Sequence, residues 1–155
     1  MAPGDAPSWR CRQLGADDAR RCADLHRISF SKSWSDGEFE GLLASAPVIT
    51  DGVGASGIVS GFVVSRRASD EAEILTIAVD PASRGRGMAK ALLGYHLSRL
   101  ARAGVSSLFL EVDESNAPAL ALYWRYGFVK IGQRTGYYAR ADGRRATALV
   151  LRCTV

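Results

Sequence analysis

The sequence predicts a single α/β domain, and three observations support this fold class. The chain has 155 residues, a usual length for one domain with its own hydrophobic core. Segments rich in β-branched apolar residues alternate with segments whose apolar residues recur at helical spacing. The chain contains no internal repeat, low-complexity block or long linker that would divide it. We therefore expect one domain over residues 8–155, preceded by a loose leader over residues 1–7.

The first third of the domain predicts a strand followed by two helices. The strand covers Trp9–Leu14. Asp17 or Asp18 is the expected N-cap of the first helix. Three apolar residues about one turn apart predict the buried face of that helix: Cys22, Leu25 and Ile28. The second helix is expected from Ser35 to Leu43.

The middle third predicts three strands joined by turns. The strands are Pro47–Thr50, Gly57–Ser65 and Glu73–Val79, and the last two are rich in β-branched and other apolar residues. A glycine-rich segment, Asp51–Gly54, predicts the first turn. The polar segment Arg66–Asp70 predicts the second.

From Asp80 onward the pattern alternates between helices and strands. A helix after the Asp80-Pro81 break has one apolar face, formed by Ala89, Leu93, Leu97 and Leu100. Gly104 is a typical helix end. The remaining elements are a strand over Ser107–Val112, a helix capped by Asn116 and ended by Gly127, and strands over Phe128–Thr135 and Ala146–Arg152 around a turn at Asp142-Gly143.

The composition is typical of a globular protein with an anionic ligand or partner. Apolar residues make up 47% of the chain and charged residues 23%, which argues against a disordered chain. The formal net charge is +4. This basic balance favours an anion, but nucleic acid, an acidic protein and a phosphate-bearing cofactor satisfy it equally.

The cysteines and histidines argue against a disulfide framework and a metal centre. The three cysteines are far apart and form no C-x-x-C pair: Cys11, Cys22 and Cys153. The sequence has two histidines, His26 and His96. The N-terminus lacks the apolar region of a signal peptide, and no apolar run approaches the roughly 20 residues of a membrane helix. We therefore expect a reduced, cytoplasmic protein with no metal and no membrane partner.

The segment Arg84–Lys90 has the composition of a phosphate-binding loop. It reads R-G-R-G-M-A-K and precedes a helix that begins near Gly87. Glycine permits positive φ and lets backbone N–H groups approach a ligand closely. Those N–H groups and the helix dipole favour an anion, and Arg84, Arg86 and Lys90 add positive charge. A glycine-rich turn with solvated basic residues explains the same segment equally well.

Two other phosphate loops fit this segment less well. The Walker spacing G-x-x-x-x-G-K-[ST] is absent. The dinucleotide fingerprint G-x-G-x-x-G matches Gly85 and Gly87, but Lys90 stands where close helix–strand packing needs the third glycine. Glu111, near the end of the next strand, keeps a dinucleotide site as an alternative.

The loop resembles the acyl-CoA motif of the GCN5-related N-acetyltransferase (GNAT) superfamily. That motif is [QR]-x-x-G-x-[GA], and Arg84–Ala89 matches it position by position. The segment Leu110–Phe128 is similar to the second half of the superfamily pattern, L-E-V-x-x-x-N-x-x-A-x-x-L-Y-x-x-x-G-F. Gly136-Tyr137-Tyr138 and Asp142-Gly143-Arg144 are similar to the RimI branch, the ribosomal-protein-alanine N-acetyltransferases.

The resemblance implies a GNAT fold and acetyl-CoA as cosubstrate. The implied sheet is mixed and mostly antiparallel, with about six or seven strands and about four flanking helices. Ile77, Ala78 and Val79 would lie along the pantetheine and acetyl group, and Asn116 would contact the cofactor. The pyrophosphate would be held by the loop residues Arg84, Gly85, Arg86, Gly87, Met88, Ala89 and Lys90.

Two residues are candidates for the proton transfers of acetylation. Glu111 ends an apolar strand and is the candidate base, acting directly or through water. A structural carboxylate paired with an arginine is the competing interpretation. Tyr123 is the candidate acid, because a phenol keeps its proton at neutral pH, its ordinary pKa of about 10 lying above the ~8.5 of a typical thiol, and can give that proton to a leaving thiolate. A tyrosine packed in the core is the alternative there.

The resemblance also implies an acceptor site at Trp34, Tyr137 and Tyr138. Its expected acceptor is the N-terminal α-amine of a protein, an alanine-starting small-subunit ribosomal protein, without direct nucleic-acid contact. Two alternatives stay open. One is a GNAT enzyme for a small-molecule amine, and the other is a non-catalytic acyl-CoA-binding or nucleic-acid-binding module.

Overall fold

A computed structural model describes residues 8–140 and 142–155. The expected leader, residues 1–7, lies outside the described residues. Within the described ranges the strands are β1 (Arg10–Gln13), β2 (Val48–Ala55), β3 (Ile58–Ala68), β4 (Glu71–Val79), β5 (Ser107–Asp113), β6 (Val129–Ala139) and β7 (Arg145–Thr154). The α-helices there are α1 (Ala19–Ser29), α2 (Asp36–Ala44), α3 (Met88–Arg102) and α4 (Ala117–Arg125). None of these helices is long and apolar enough to cross a membrane.

The strands form one mixed sheet in the order β1-β2-β3-β4-β5-β7-β6. β4 and β5 run parallel, with Glu71 opposite Ser107 and Glu73 opposite Phe109. The pairs β1–β2, β5–β7 and β6–β7 run antiparallel. The predicted α/β fold class and the mixed sheet of about six or seven strands are therefore confirmed, with seven strands among the described residues.

The described chain divides into two compact units. The first takes in the residues up to Val64 together with Thr76–His96. The second consists of Ser65–Leu75 and Leu97–Val155. The long elements β3, β4 and α3 contribute residues to both units.

The buried face of α1 differs in part from the prediction. Cys22 and Leu25 have no exposed surface, as expected, but Ile28 is 59% exposed. At 3.6 residues per turn, Ile28 lies about 120° around the helix from Cys22, whereas His26 lies only about 40° away. His26 therefore takes the buried position and is 3% exposed.

The second helix begins where the sequence predicts. The Ser35 side chain accepts a hydrogen bond from the Glu38 backbone N–H, and the Glu38 carboxylate accepts one from the Ser35 N–H, both at 3.1 Å. This reciprocal capping box satisfies two N–H groups that the helix itself leaves without partners. Replacing such a cap by alanine typically costs ~1 kcal/mol of stability.

The expectation of a turn at Asp51–Gly54 is wrong, because these residues belong to β2. Asp51 is fully buried, and one of its carboxylate oxygens lies 2.7 Å from Nδ1 of the fully buried His96. A Cβ at Gly54 would collide with the Ile58 carbonyl, so this glycine permits a close approach of backbone. The turn is Ser56-Gly57 instead, with φ of 53° and 77°, as a tight two-residue hairpin requires.

In the second unit, β5 separates a buried side from a more open side. Leu108, Leu110 and Val112 are buried at 0%, 2% and 6% exposure, while Phe109, Glu111 and Asp113 on the other side are half-buried. The period of two is that of a strand. The predicted turn between the last two strands is confirmed at Gly143, whose φ is 79°.

Candidate active site

The segment Arg84–Lys90 leads directly into α3, a helix of 15 residues. Gly85 and Gly87 both have φ of 79°, a left-handed conformation that favours glycine. A Cβ at either position would meet no described atom within 4 Å, so the glycines are needed for backbone conformation. The first N–H groups of α3 have no partner within the helix, and its dipole is positive at this end. The loop therefore has the backbone geometry of an anion-binding site.

A capped turn fixes the position at which this loop begins. The Asp80 side chain accepts a hydrogen bond from the Ala82 N–H at 3.0 Å, and Arg21 Nη2 lies 3.6 Å from the same carboxylate. Arg84 Nε donates to the Val79 carbonyl at 3.2 Å. Part of the Arg84 guanidinium therefore ties the loop to the end of β4, a role that the sequence did not predict.

The three predicted pantetheine residues occupy the last positions of β4. Ala78 and Val79 are 6% and 8% exposed, and Ile77 is half-buried. A Cβ at Gly61 would lie 3.0 Å from Val79 Cγ2 and 3.2 Å from the Ala78 carbonyl oxygen. The glycine on β3 thus allows a close approach to the strand that leads into the loop.

Asn116 is the N-cap of α4, as predicted. Its Oδ1 accepts a hydrogen bond from the Ala119 N–H at 3.2 Å, and the side chain is exposed. The side-chain oxygen is thus engaged in the cap, and the side-chain NH2 is the group of Asn116 that can donate to a ligand.

Glu111 lies on the more open side of β5 and is ion-paired. Its side chain is 22% exposed, and Arg134 Nε lies 3.2 Å from Oε1. Arg134 belongs to β6, and β7 lies between β6 and β5. The arginine pairing that the sequence left open is therefore present, while the carboxylate stays at the surface of the sheet.

Asp113, two residues further along β5, is paired in the same way. Its Oδ1 accepts hydrogen bonds from the N–H and the hydroxyl of Ser115, both at 2.8 Å, and lies 3.2 Å from Arg140 Nη2. Partial burial raises the pKa of Asp113, but the Ser115 hydrogen bonds and Arg140 outweigh it. The pKa of Asp113 therefore lies below its ordinary value.

Tyr123 is buried in α4. It is 4% exposed, its ring centroid lies 5.4 Å from that of Phe128, and its carbonyl accepts a hydrogen bond from the Phe128 N–H at 3.1 Å. Packing against Phe128 is thus one role of the ring. The acid role of its hydroxyl stays a prediction.

The predicted acceptor residues differ in their surroundings. Tyr137 is 51% exposed, with the Arg134 guanidinium carbon 4.9 Å from its ring centroid. The backbone of Tyr138 pairs with Ala146, and its side chain lies outside the described residues. The Trp34 ring stacks on His26 at a centroid distance of 4.7 Å, and the backbone N–H of Trp34 donates to His26 Nδ1 at 3.1 Å. Trp34 is therefore held in an aromatic cluster that also contains Phe39.

Arg134 is the residue beside the candidate base that the sequence reasoning missed. The sequence feature that could have identified Arg134 is its position in β6, three residues before Tyr137. Its contact with Glu111 depends on the pairing of both strands with β7. No motif encodes that pairing.

The fold and the loop geometry define the class of this protein. The sequence profile of the acetyltransferase (GNAT) family matches residues 8–128. The chain therefore belongs to the GNAT family of acetyltransferases.

Within that family, the chain is similar to bacterial enzymes that act on a ribosomal protein. It is 40% identical over 89 residues to the [ribosomal protein bS18]-alanine N-acetyltransferase of Escherichia coli K12, an alignment that spans 57% of this chain and 60% of that enzyme. It is 32% identical over 141 residues to the enzyme of the same name from Haemophilus influenzae, spanning 91% and 95% of the two chains.

A solved structure shows the same likeness in three dimensions. The crystal structure of the ribosomal-protein-S18-alanine N-acetyltransferase from Escherichia coli superposes with a TM-score of 0.88 at 28% identity. The match covers 95% of this chain and 94% of that one. The sequence-based expectation of a GNAT fold similar to the RimI branch is confirmed.

Proposed function

We propose that this chain is a cytoplasmic enzyme that transfers an acetyl group from acetyl-CoA to the N-terminal α-amine of a protein. Its proposed acceptor is a ribosomal protein that begins with alanine. The observation that carries the proposal is the loop at Arg84–Lys90. Its two left-handed glycines and the N-terminus of a long helix are what the pyrophosphate of an acyl-CoA requires.

The surroundings of the loop fit acetyl-CoA as cosubstrate. Arg86 and Lys90 are exposed beside the two glycines and supply positive charge for phosphate groups. Met88, at the first position of α3, is 4% exposed and anchors the helix start. Acetyl-CoA supplies the reactive thioester, and the residues of the chain bind it and move the protons.

Glu111 is the proposed general base. Its carboxylate takes one proton from the acceptor ammonium, which leaves a neutral amine whose nitrogen bonds to the acetyl carbon. Backbone N–H groups near Ile77, Ala78 and Val79 polarise the carbonyl as negative charge develops on its oxygen. Half-burial at 22% exposure limits the competition from solvent for this carboxylate.

Tyr123 is the proposed general acid. As the carbon–sulfur bond breaks, its hydroxyl gives a proton to the departing sulfur. The nitrogen of the new amide then loses a proton, and the Tyr123 oxygen takes up this proton, which restores the phenol. Packing against Phe128 supports this role because it fixes the direction of the ring.

The acceptor assignment is supported by similarity to relatives named for acetylation of bS18 and by the exposed Tyr137 on β6. It is tested by measuring thiol release from acetyl-CoA with matched acceptors, followed by mass spectrometry of the products. The panel contains a peptide with an N-terminal alanine and an internal lysine, the same peptide with a blocked N-terminus, and small amines such as a polyamine and an aminoglycoside.

We expect acetylation of the free N-terminus alone. Turnover confined to the small amines would overturn the peptide acceptor and leave a GNAT enzyme of different substrate class. Tight acetyl-CoA binding without turnover of any acceptor would overturn the enzymatic proposal in favour of a binding module. Acetylation of the lysine in the blocked peptide would show that the α-amine is not what the site selects.

A further inference from the structure

The geometry points to Arg134 as a positioning residue that couples the candidate base Glu111 to the acceptor-site residue Tyr137. This inference rests on the proposed function and deepens it. Arg134 contacts both residues, with Nε 3.2 Å from Glu111 Oε1 and its guanidinium carbon 4.9 Å from the Tyr137 ring centroid. One guanidinium therefore fixes two groups that the proposed reaction uses separately.

The strand register explains how Arg134 reaches Glu111 across β7. Arg134 is paired with Ala148, and Ala148 is in turn paired with Asp113. Glu111 is paired with Val150, which is opposite Gly132 on β6. Directly paired residues lie on the same face, and diagonal neighbours are within reach of a long side chain.

Two small residues leave the path of this side chain open. Ala148 extends only a methyl group from the strand between Arg134 and Asp113. Gly132, opposite Val150, has no side chain at all, and a Cβ there would meet nothing closer than 4.0 Å. Asp113 is already paired with Arg140, so the diagonal carboxylate of Glu111 is the partner of Arg134.

An irregularity in β6 brings Tyr137 to the same guanidinium. Residues three apart in a regular strand point to opposite faces, so Arg134 and Tyr137 would not meet there. The register shifts between Arg134 and Tyr138, and Gly136 inside this segment has φ of 66°. Bulges of this kind re-aim side chains. Here the bulge places an aromatic ring against Arg134.

The contact with Glu111 is directional. Arg134 Nε lies 3.2 Å from Oε1, and in the proposed role the other oxygen, Oε2, takes the acceptor proton. The Arg134 side chain is 56% exposed, and ion pairs that exposed contribute little to folding stability. Arg134 is therefore placed to orient the carboxylate and the Tyr137 ring rather than to hold the fold together.

A double-mutant cycle between Arg134 and Glu111 tests this role. Arg134→Gln, Glu111→Gln and the double variant are compared for kcat, for acceptor KM with the alanine peptide, and for acetyl-CoA Kd. We expect Arg134→Gln to lower kcat by about 10- to 100-fold, the scale on which misplaced catalytic groups act. In the Glu111→Gln background the same change should alter kcat less than about twofold, because Arg134 acts through Glu111.

Arg134→Lys separates the two contacts. An ammonium restores a positive charge near Glu111 but lacks the planar guanidinium that stacks on an aromatic ring. Compared with Arg134→Gln, we expect Arg134→Lys to recover part of the lost kcat. Its acceptor KM should stay above that of wild type. The matched control is Arg152→Gln, since Arg152 lies on the same sheet face but contacts Phe109 and Ser107. Its kcat should equal that of wild type, and melting temperatures should be similar for all variants.

The outcomes separate this inference from the proposed function. If Glu111→Gln lowers kcat but Arg134→Gln leaves kcat and acceptor KM unchanged, the inference fails and the base assignment stands. An equal loss of kcat from Arg134→Gln in both backgrounds would overturn coupling through Glu111. If Glu111→Gln retains wild-type kcat, or wild type turns over no alanine peptide, the proposed chemistry and the inference fail together.

Discussion

The loop at Arg84–Lys90 and the β5–β7–β6 face around Glu111, the two parts of the proposed site, are built in different ways. The loop depends on backbone: two glycines with φ of 79° and the start of α3, all within seven consecutive residues. The face depends on side chains from β5 and β6, brought together by the strand between them. The loop can therefore be recognised as a motif, whereas the face is visible only once the strand register is known.

This difference predicts how each region responds to substitution. The loop should be sensitive to any residue that cannot adopt positive φ and tolerant of many changes to exposed side chains. The face should be sensitive to the chemistry of individual side chains, and to backbone preference only at the bulge around Gly136. Binding of acetyl-CoA and the chemical step should thus be separable by mutation.

The largest effect is expected for Glu111→Gln. Loss of the proposed general base should lower kcat by about 10²- to 10⁴-fold. If the loop and the face act independently, the acetyl-CoA Kd, measured by calorimetry, should stay within about twofold of the wild-type value. Glu114→Gln is the matched control, since Glu114 is exposed in the next loop. A similar loss in both variants would mean that general charge, not the position of Glu111, matters.

A smaller loss of kcat is expected for Tyr123→Phe. Removing the hydroxyl keeps the ring against Phe128, so the free energy of unfolding should change little, while kcat falls by about 10²-fold. The measurements are steady-state kinetics and urea unfolding. Tyr126→Phe, at the C-cap of the same helix, is the control. Parallel losses of stability and kcat would identify Tyr123 as a packing residue only.

For the loop, Gly87→Ala is expected to weaken cofactor binding while leaving kcat at saturation. An alanine held at positive φ costs roughly 1–2 kcal/mol. We expect acetyl-CoA Kd to rise by about tenfold, equivalent to ~1.4 kcal/mol. Gly57→Ala is matched in strain, with φ of 77° against 79° and open space at both positions. Equal Kd changes in the two variants would contradict a specific role of the loop.

The smallest effect concerns the charge of Asp113. Its pKa is lowered in the folded protein, so its contribution to stability is present above the unfolded pKa of about 3.9 and is lost as pH falls through the folded value. Asp113→Asn should lower the free energy of unfolding by less than about 1 kcal/mol at pH 6. The gap to wild type should narrow in denaturant titrations as pH falls below the unfolded pKa. A gap that widens at low pH would reverse the assigned sign.

Local rules predicted much of the fold and part of the site. The start of the second helix at Ser35, the Asn116 cap, the strand pattern of β5 and the glycines of the loop at Arg84–Lys90 were predicted from neighbouring residues, and each is present. Caps and left-handed glycines involve residues within about four positions of one another. Sequence alone is sufficient for such features.

Tertiary structure decided the features that depend on distant residues. Asp51–Gly54 has the composition of a turn, yet it is a strand because Asp51 is buried against His96 and Gly54 against Ile58. Ile28 was predicted on the buried face of α1 but is exposed, and His26 is buried there instead, packed against Trp34 and Phe39. The partner of Glu111 was set by the register of β7 with both its neighbours, which no local preference specifies. The family, the fold class and the backbone of the loop thus followed from the order of the amino acids alone. The side-chain contacts of the face were fixed only by the fold, because long-range strand pairing is set only when the whole sheet forms.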